Sequence, residues 1–293
     1  MKLMKKVWHV SKEREGRSIK NFLLKEAQFS RQIFKRVKND GQVTVNGEDV
    51  ELWKPLKSGD EVTVFFPLEE RGSYIQPEPG PLTIVYEDED LLVIEKPSDI
   101  AVIPSIDKSQ PCIANRVLHH YDKQGISSTV HIITRLDRNT SGLMVIAKHA
   151  YGHMLLTRKE KLIDRHYKAL VQGLLETDCG TVEEPIARVE GSIIRRTVSE
   201  IGKPSKTLYE VEERYADCTL VRLQLMTGRT HQIRVHMAHI GHPLIGDTLY
   251  GGIEAAELSG QALHCSYLKL IHPWTKKEMT FTSDPPAIWE KYK

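Results

Sequence analysis

The chain has 293 residues, 40% of them apolar and 27% charged, enough for one large core beside a smaller unit and unlike the make-up of a disordered tail. Cys112, Cys179, Cys218 and Cys265 form no close pair of the kind that ligates zinc or cycles as a dithiol, so they are expected to be reduced and partly buried. The basic start runs into SKEREGRS rather than an apolar core, and no apolar run is long enough to span a bilayer, so a cytoplasmic protein without a signal peptide or membrane partner is expected.

A net charge of +2 hides an uneven distribution. Residues 1–38 carry twelve Lys/Arg against three Glu, or +9, which leaves −7 for the remaining 255 residues. A basic head on a near-neutral body suggests a phosphate-binding appendage. The head is expected to fold. Ile19, Phe22 and Leu23 recur at helical spacing in SIKNFLLKEA. Ser30 is placed to cap SRQIFKRVKND, with Ile33, Phe34 and Val37 inward and Arg31, Lys35 and Lys38 outward. QVTVNGEDV alternates and turns at Asn46-Gly47, and GDEVTVFFP (59–67) reads as a further strand. The plain alternative for the basic helix is a solvated face with no ligand.

Next, PLEERGSYIQPEPGP (67–81) is rich in proline, glycine and charge and reads as a linker. The expected division is therefore a small α/β unit over 1–66, a linker over 67–81, and a second domain over 82–293 that folds without the first. In that domain TIVYEDEDLLVIEKP, SGLMVIAK, YKALVQGLL, SKTLYEVEERY, CTLVRLQLM and EMTFTSD read as strands. CIANRVLHHYDKQG, YGHMLLTRKEK and THQIRVHMAHIG read as helices. Irregularly interleaved strands with few helices predict an α+β domain on a large, mainly antiparallel sheet with flanking helices.

Two segments carry chemistry. TRLDRNTSGLMVIAK (134–148) sets Asp137 among Arg135 and Arg138, ahead of a Thr-Ser-Gly turn into an apolar strand. Flanking cations hold a carboxylate ionised and draw in a polyanion, although a charged strand end would look the same. LMTGRTHQIRVHMAHIGHPLIGDTLYG (225–251) adds Arg229, Arg234 and the histidines 231, 236, 239 and 242. No carboxylate or thiol is closely interleaved with those histidines, so no metal site is expected. On a helix beginning near Thr230, Ile233, Met237 and Ile240 form an inward stripe, leaving Arg234 and some histidines for RNA or for structure.

Together these blocks resemble the RluA/RluD-type pseudouridine synthases. EDEDLLVIEKPSDIAVIPS (87–105) is similar to the family's first motif, HYKALVQG (166–173) to its tyrosine motif, and LHCSYLKLIHPWTKKEMTFTSDPP (263–286) to its closing segment, all in the family's order. The first unit resembles the RNA-binding domain first seen in ribosomal small-subunit protein four. One position departs: the family usually has a histidine where this chain has Thr134, which puts any RNA contact of that histidine in question.

The resemblance implies an isomerase that needs no cofactor and converts uridine to pseudouridine by breaking the bond from ribose C1′ to N1 and rejoining C1′ to C5. It implies Asp137 as the catalytic group, bonding to C1′ or the base or taking a ribose proton, with these routes left open. Arg229 would clamp that carboxylate with a two-pronged hydrogen bond, and Tyr167 would stack on the extruded base. Arg135 would fill the gap left in the helix, with a phosphate contact as its plainer role. Arg234, Arg31, Lys35 and Lys38 would contact RNA, and Lys96-Pro97 would shape the cleft wall. The expected partner is a structured RNA, ribosomal (large-subunit favoured) rather than transfer RNA, met by a monomer. Two rivals stand beside this reading, a noncatalytic RNA-binding or ribosome-assembly protein and a base-removing glycosylase.

Overall fold

The computed structural model describes residues 4–104, 110–158 and 163–293. Residues 1–3, Ser105 at the end of the first motif, and the last residues of the helix expected over 151–161 lie outside the described residues.

The first unit contains β1 (Lys5–His9), α1 (Ile19–Lys25), α2 (Arg31–Asp40), β2 (Gln42–Val45), β3 (Glu48–Asp49) and β4 (Glu61–Phe65), with sheet order β1-β4-β2-β3. Both helices start where a serine hydroxyl takes an orphan N–H, Ser18 from Asn21 at 3.3 Å and Ser30 from Ile33 at 3.1 Å. Asn46 and Gly47 both have positive φ, 53° and 84°, as the tight β2–β3 turn requires. Ile33 and Val37 are buried and Phe34 half-buried, while Arg31, Lys35 and Lys38 are exposed. The strand β1 was not foreseen, because KKVWH buries its lysine, Lys6, rather than a run of apolar residues.

The larger unit contains β5 (Thr83–Glu87), β6 (Leu91–Lys96), α3 (Ile113–Gln124), β7 (His131–Ile132), β8 (Ser141–Ala147), α4 (Ala150–Thr157), β9 (Ile163–Gln172), β10 (Cys179–Val182), β11 (Ile186–Arg188), β12 (Arg196–Val198), β13 (Thr207–Arg214), β14 (Cys218–Leu225), α5 (Gln232–His239), β15 (Leu263–Ile271) and β16 (Glu278–Thr282). Ten strands make one sheet in the order β10-β13-β14-β9-β15-β8-β6-β5, with β16 on β15 and β7 on β8. The β8–β15 pair is parallel and the other pairings antiparallel, so the protein is α+β on a large mixed sheet. All seven residues of β8 are buried, as expected of a strand covered on both faces, and α3 and α5 pack Val117, Tyr121, Ile233 and Met237 into the same core. The central strand β15 escaped the sequence reading: its alternation is broken by a bulge between Cys265 and Tyr267.

The two units are fastened together. Tyr151 and Leu155 of α4 belong to the first unit's hydrophobic core, and Trp8 packs edge-on against Trp274 with ring centroids 5.2 Å apart. The Tyr151 hydroxyl donates to the Ala27 carbonyl at 2.7 Å. Buried Lys6 binds Asp90 at 2.6 Å, and His149 binds the same carboxylate at 2.8 Å. Residues 67–81 form neither helix nor strand, yet they are not a loose linker. Glu69 meets His131 at 2.6 Å and accepts from the Ala150 N–H at 2.8 Å, while Arg71 pairs with Asp122 and donates to the Ile126 and Ser128 carbonyls. Proline and charge therefore gave the absence of regular structure correctly but not the anchoring, which rests on partners more than fifty residues away.

Candidate active site

The turn ahead of β8 is built by alternation. Leu136 sinks into the core, which turns its neighbours Arg135 and Asp137 outward, and the Thr140 N–H closes on the Asp137 carbonyl at 3.1 Å. Gly142 has φ +106° and lies so close to β15 that a Cβ there would stand 2.4 Å from the Cys265 carbonyl oxygen. That approach places the start of β8 beside Cys265, whose partner on the other side, in β9, is Tyr167. The tyrosine motif is thus brought to the aspartate turn across a single intervening strand.

A cavity of about 520 Å³ opens here. Among its described lining residues are one carboxylate, Asp137, and five arginines: Arg135, Arg138, Arg165, Arg229 and Arg234. Tyr167 lies in its wall with its ring almost wholly buried. Burial pushes the Tyr167 phenol up, so the hydroxyl stays neutral. Arg135 is exposed on the rim.

The guanidinium beside Asp137 belongs to Arg234, not to Arg229. Arg234 lies on the inner face of α5, where its Nε and Nη2 each donate to Asp247 at 2.7 Å and its Nη1 donates to Asp137 at 3.3 Å. Burial opposes the charged form, but the Asp247 hydrogen bonds and the charges of Asp247 and Asp137 outweigh it and hold the Arg234 pKa above its ordinary value. The same guanidinium carbon lies over the Tyr250 ring, 4.9 Å from its centroid. Arg229 precedes the helix; its Nε donates to the Pro204 carbonyl at 3.1 Å and its own N–H to Gln232, which turns the side chain along the rim. Asp247 is the only carboxylate in the block 225–251, and that was the signal that could have found Arg234's partner.

His231 caps α5 in the left-handed region, φ 57°, with Nε2 3.8 Å from Asp137 and Nδ1 2.7 Å from the Tyr250 hydroxyl. Burial lowers the His231 pKa despite the pull of Asp137, and Arg234 and Arg196 lower it further. A neutral ring fits its surroundings: Nδ1 accepts from Tyr250, leaving the Nε2 proton toward Asp137. The other histidines part company, His236 to Thr207 and the Glu184 carbonyl, His242 to the Gln172 carbonyl, and His239 to solvent. Arg165 was also missed, although it stands two residues before Tyr167 on one strand and so shares its face.

Three further residues brace the turn. Lys96 is fully buried and donates to the Pro97, Ile100 and Arg138 carbonyls at 2.7, 3.0 and 2.8 Å, tying the first motif to the aspartate turn. Burial pushes the Lys96 ammonium down to about 7, with Asp137 and Asp99 resisting the drop. Arg138 pairs with Asp99 at 3.1 Å rather than with Asp137. Thr134 is buried and its hydroxyl accepts the Val145 N–H at 2.9 Å. It pins the start of the turn to β8 and does not line the cavity.

Residues 90–239 match the family described as RNA pseudouridylate synthase. An "Uncharacterized RNA pseudouridine synthase YjbO" of Bacillus subtilis (strain 168) is 46% identical over 253 residues, 86% of this chain and 89% of that one. The "Ribosomal large subunit pseudouridine synthase D" of Escherichia coli (strain K12) is 38% identical over 274 residues, 88% of this chain and 83% of that one. The solved structure "Human RNA Pseudouridylate Synthase Domain Containing 1" is similar with a TM-score of 0.60 at 27% identity, over 73% of this chain and 88% of that one. With the aspartate turn, the tyrosine strand and the arginine helix converging on one cavity, the chain belongs to the RNA pseudouridylate synthase family, of the RluA/RluD type, and is an isomerase acting on RNA.

Proposed function

We propose that this protein isomerises uridines in large-subunit ribosomal RNA, with Asp137 as the catalytic carboxylate. The observation that carries the chemical half is the cavity's charge layout: one carboxylate, oriented by a guanidinium that Asp247 has already fixed, among arginines with room for an anionic strand. A preorganised ion pair loses little on reorganisation when charge develops at C1′, and the Asp137 oxygens stay accessible because Arg234 spends only one of its N–H groups on them. Tyr167 offers a flat wall for the base once it leaves the stack, and Arg135, on the rim beside the carboxylate, is placed to occupy the vacated position.

Ribosomal RNA is supported by similarity to the large-subunit enzyme of Escherichia coli and by the exposed cations of α2. Arg31, Lys35 and Lys38 project from a folded unit that is docked on the larger one. We assign residues 4–66 the RNA-holding role. The test is to map pseudouridines in ribosomal and transfer RNA from a strain lacking the gene, restored with the wild-type chain or with Asp137→Asn. One or more large-subunit positions should vanish, return with the wild type and stay absent with the variant. Loss confined to transfer RNA would overturn the substrate, and restoration by Asp137→Asn would overturn the catalytic role.

A further inference from the structure

The strands β11 and β12 form a two-stranded ribbon outside the main sheet, and three of its features do not serve the fold. Its tip exposes Ile193 and Ile194, 66% and 60% accessible, side by side. Its strands set Arg188 directly opposite Arg196, a like-charge pairing that works against the ribbon. Among the described residues, neither of these arginines nor exposed Arg195 is paired with a carboxylate.

The tip is nevertheless held rigid. The Ser192 hydroxyl accepts from the Ile194 and Arg195 N–H groups at 3.3 and 2.9 Å, and Arg196 Nη1 donates to the Ile194 and Arg195 carbonyls, both at 3.0 Å. The ribbon is also joined to the catalytic cavity. The Arg196 N–H donates to the Tyr250 hydroxyl at 3.0 Å, the same hydroxyl that meets His231 beside Asp137. A stiff tip with an apolar pair and a rim of unneutralised guanidinium groups is built to meet bases and phosphates together: apolar side chains wedge between base steps while arginines take the backbone.

We propose that the β11–β12 ribbon is an RNA-binding wedge, in which Ile193 and Ile194 pack on bases flanking the extruded uridine and Arg188 and Arg195 hold the adjoining phosphates. This rests on the reading of the Asp137 cavity as the site that receives the uridine.

The test compares full-length wild type, Ile193→Ser/Ile194→Ser, Arg188→Gln/Arg195→Gln and Asp137→Asn on total RNA from a strain lacking the gene. Binding is read over a salt series, KM and kcat from pseudouridine formation. The isoleucine variant should raise KM by about tenfold or more, with kcat at saturating RNA within about threefold of wild type. The arginine variant should flatten the log–log salt dependence by roughly one unit per lost phosphate contact. Its melting temperature should not fall, because the substitution relieves the Arg188–Arg196 opposition; a purely structural role would lower it. Wild-type KM and salt slope in both ribbon variants would overturn the wedge and point the exposed isoleucines to a protein partner. Full activity of Asp137→Asn would instead overturn the reading of the cavity, while the binding arm would still report on the ribbon.

Discussion

The seam between the two units and the Asp137 cavity are made from the same kinds of side chain, and they use them in opposite ways. At the seam the buried polar side chains are matched: Lys6 and His149 share Asp90, His131 meets Glu69, and Lys148 meets Glu87 at 2.7 Å. In the cavity the cations outnumber the acid, and Arg135 is left to solvent. Balanced charge in a buried seam fixes geometry, since leaving either partner alone there is costly. Surplus charge in an open cavity is unfinished business that a polyanion completes. Composition cannot tell these apart; the partners can.

The contrast breaks most sharply at the two carboxylates. Asp137→Asn should lower kcat by about a thousandfold or more while the melting temperature stays near wild type, because the group is partly exposed and makes one long hydrogen bond. Residual turnover near wild type would remove Asp137 from the chemistry. Asp247→Asn should do both kinds of damage, since it withdraws the charge that balances buried Arg234. A stability loss of about 3 to 5 kcal/mol in denaturant melts, together with lost activity, is expected.

Lys6→Met probes the seam alone. It leaves Asp90 with His149 as its remaining side-chain partner and should cost about 3 kcal/mol of stability with kcat unchanged at saturating RNA. A fall in kcat matching the fall in stability would show that the seam and the cavity are coupled.

Acid sharpens the comparison further. Burial would raise the Asp90 and Glu69 carboxyls, but hydrogen bonds from His149 and Lys6 to the first, and from His131, Ala150 and Thr129 to the second, hold both at about 2. A carboxyl depressed in the folded state stabilises fully above its unfolded pKa and loses that contribution as pH falls through the folded one. Each should therefore supply about 2 to 3 kcal/mol that is complete above roughly pH 4.5 and gone near pH 2. Glu69→Gln should flatten the decline of melting temperature over that window; an unchanged decline would deny Glu69 its place. The smallest effect belongs to Arg229→Lys. With Nε directed at the Pro204 carbonyl rather than at Asp137, the substitution should reduce activity by less than about tenfold, and a loss as deep as that of Asp137→Asn would restore Arg229 as the clamp.

Local patterns carried the reading of the sequence far. Ser30, the Asn46-Gly47 turn, the apolar run of β8 and the α5 stripe all act within a few residues, and each formed the element expected of it. The turn that carries Asp137 was legible for the same reason, its shape being dictated by near neighbours. What failed was anything decided by a distant partner. Arg229 and Arg234 are indistinguishable in TGRTHQIR until Asp247 arrives from beyond the helix. Arg138 was expected only as a cation flanking Asp137, and its guanidinium pairs with Asp99. Residues 82–293 seemed self-sufficient, but Tyr151, Leu155 and Trp274 take their packing from the first unit.

The strand β8 carries a last consequence. Asp137 stands just before it and His149 just after it, so the cavity and the seam lie at opposite ends of a strand that spans roughly 20 Å at 3.3 Å per residue. The strand is buried along its whole length and paired on both sides, and the seam clamps the basic unit to its far end. On the proposed function, the reach from the RNA-holding unit to Asp137 is set in part by the length of that buried, paired strand. An RNA held at both, as proposed, would be gauged by its shape: a uridine at the right reach from the anchored helix would be presented to Asp137, and one a few nucleotides away would fall short.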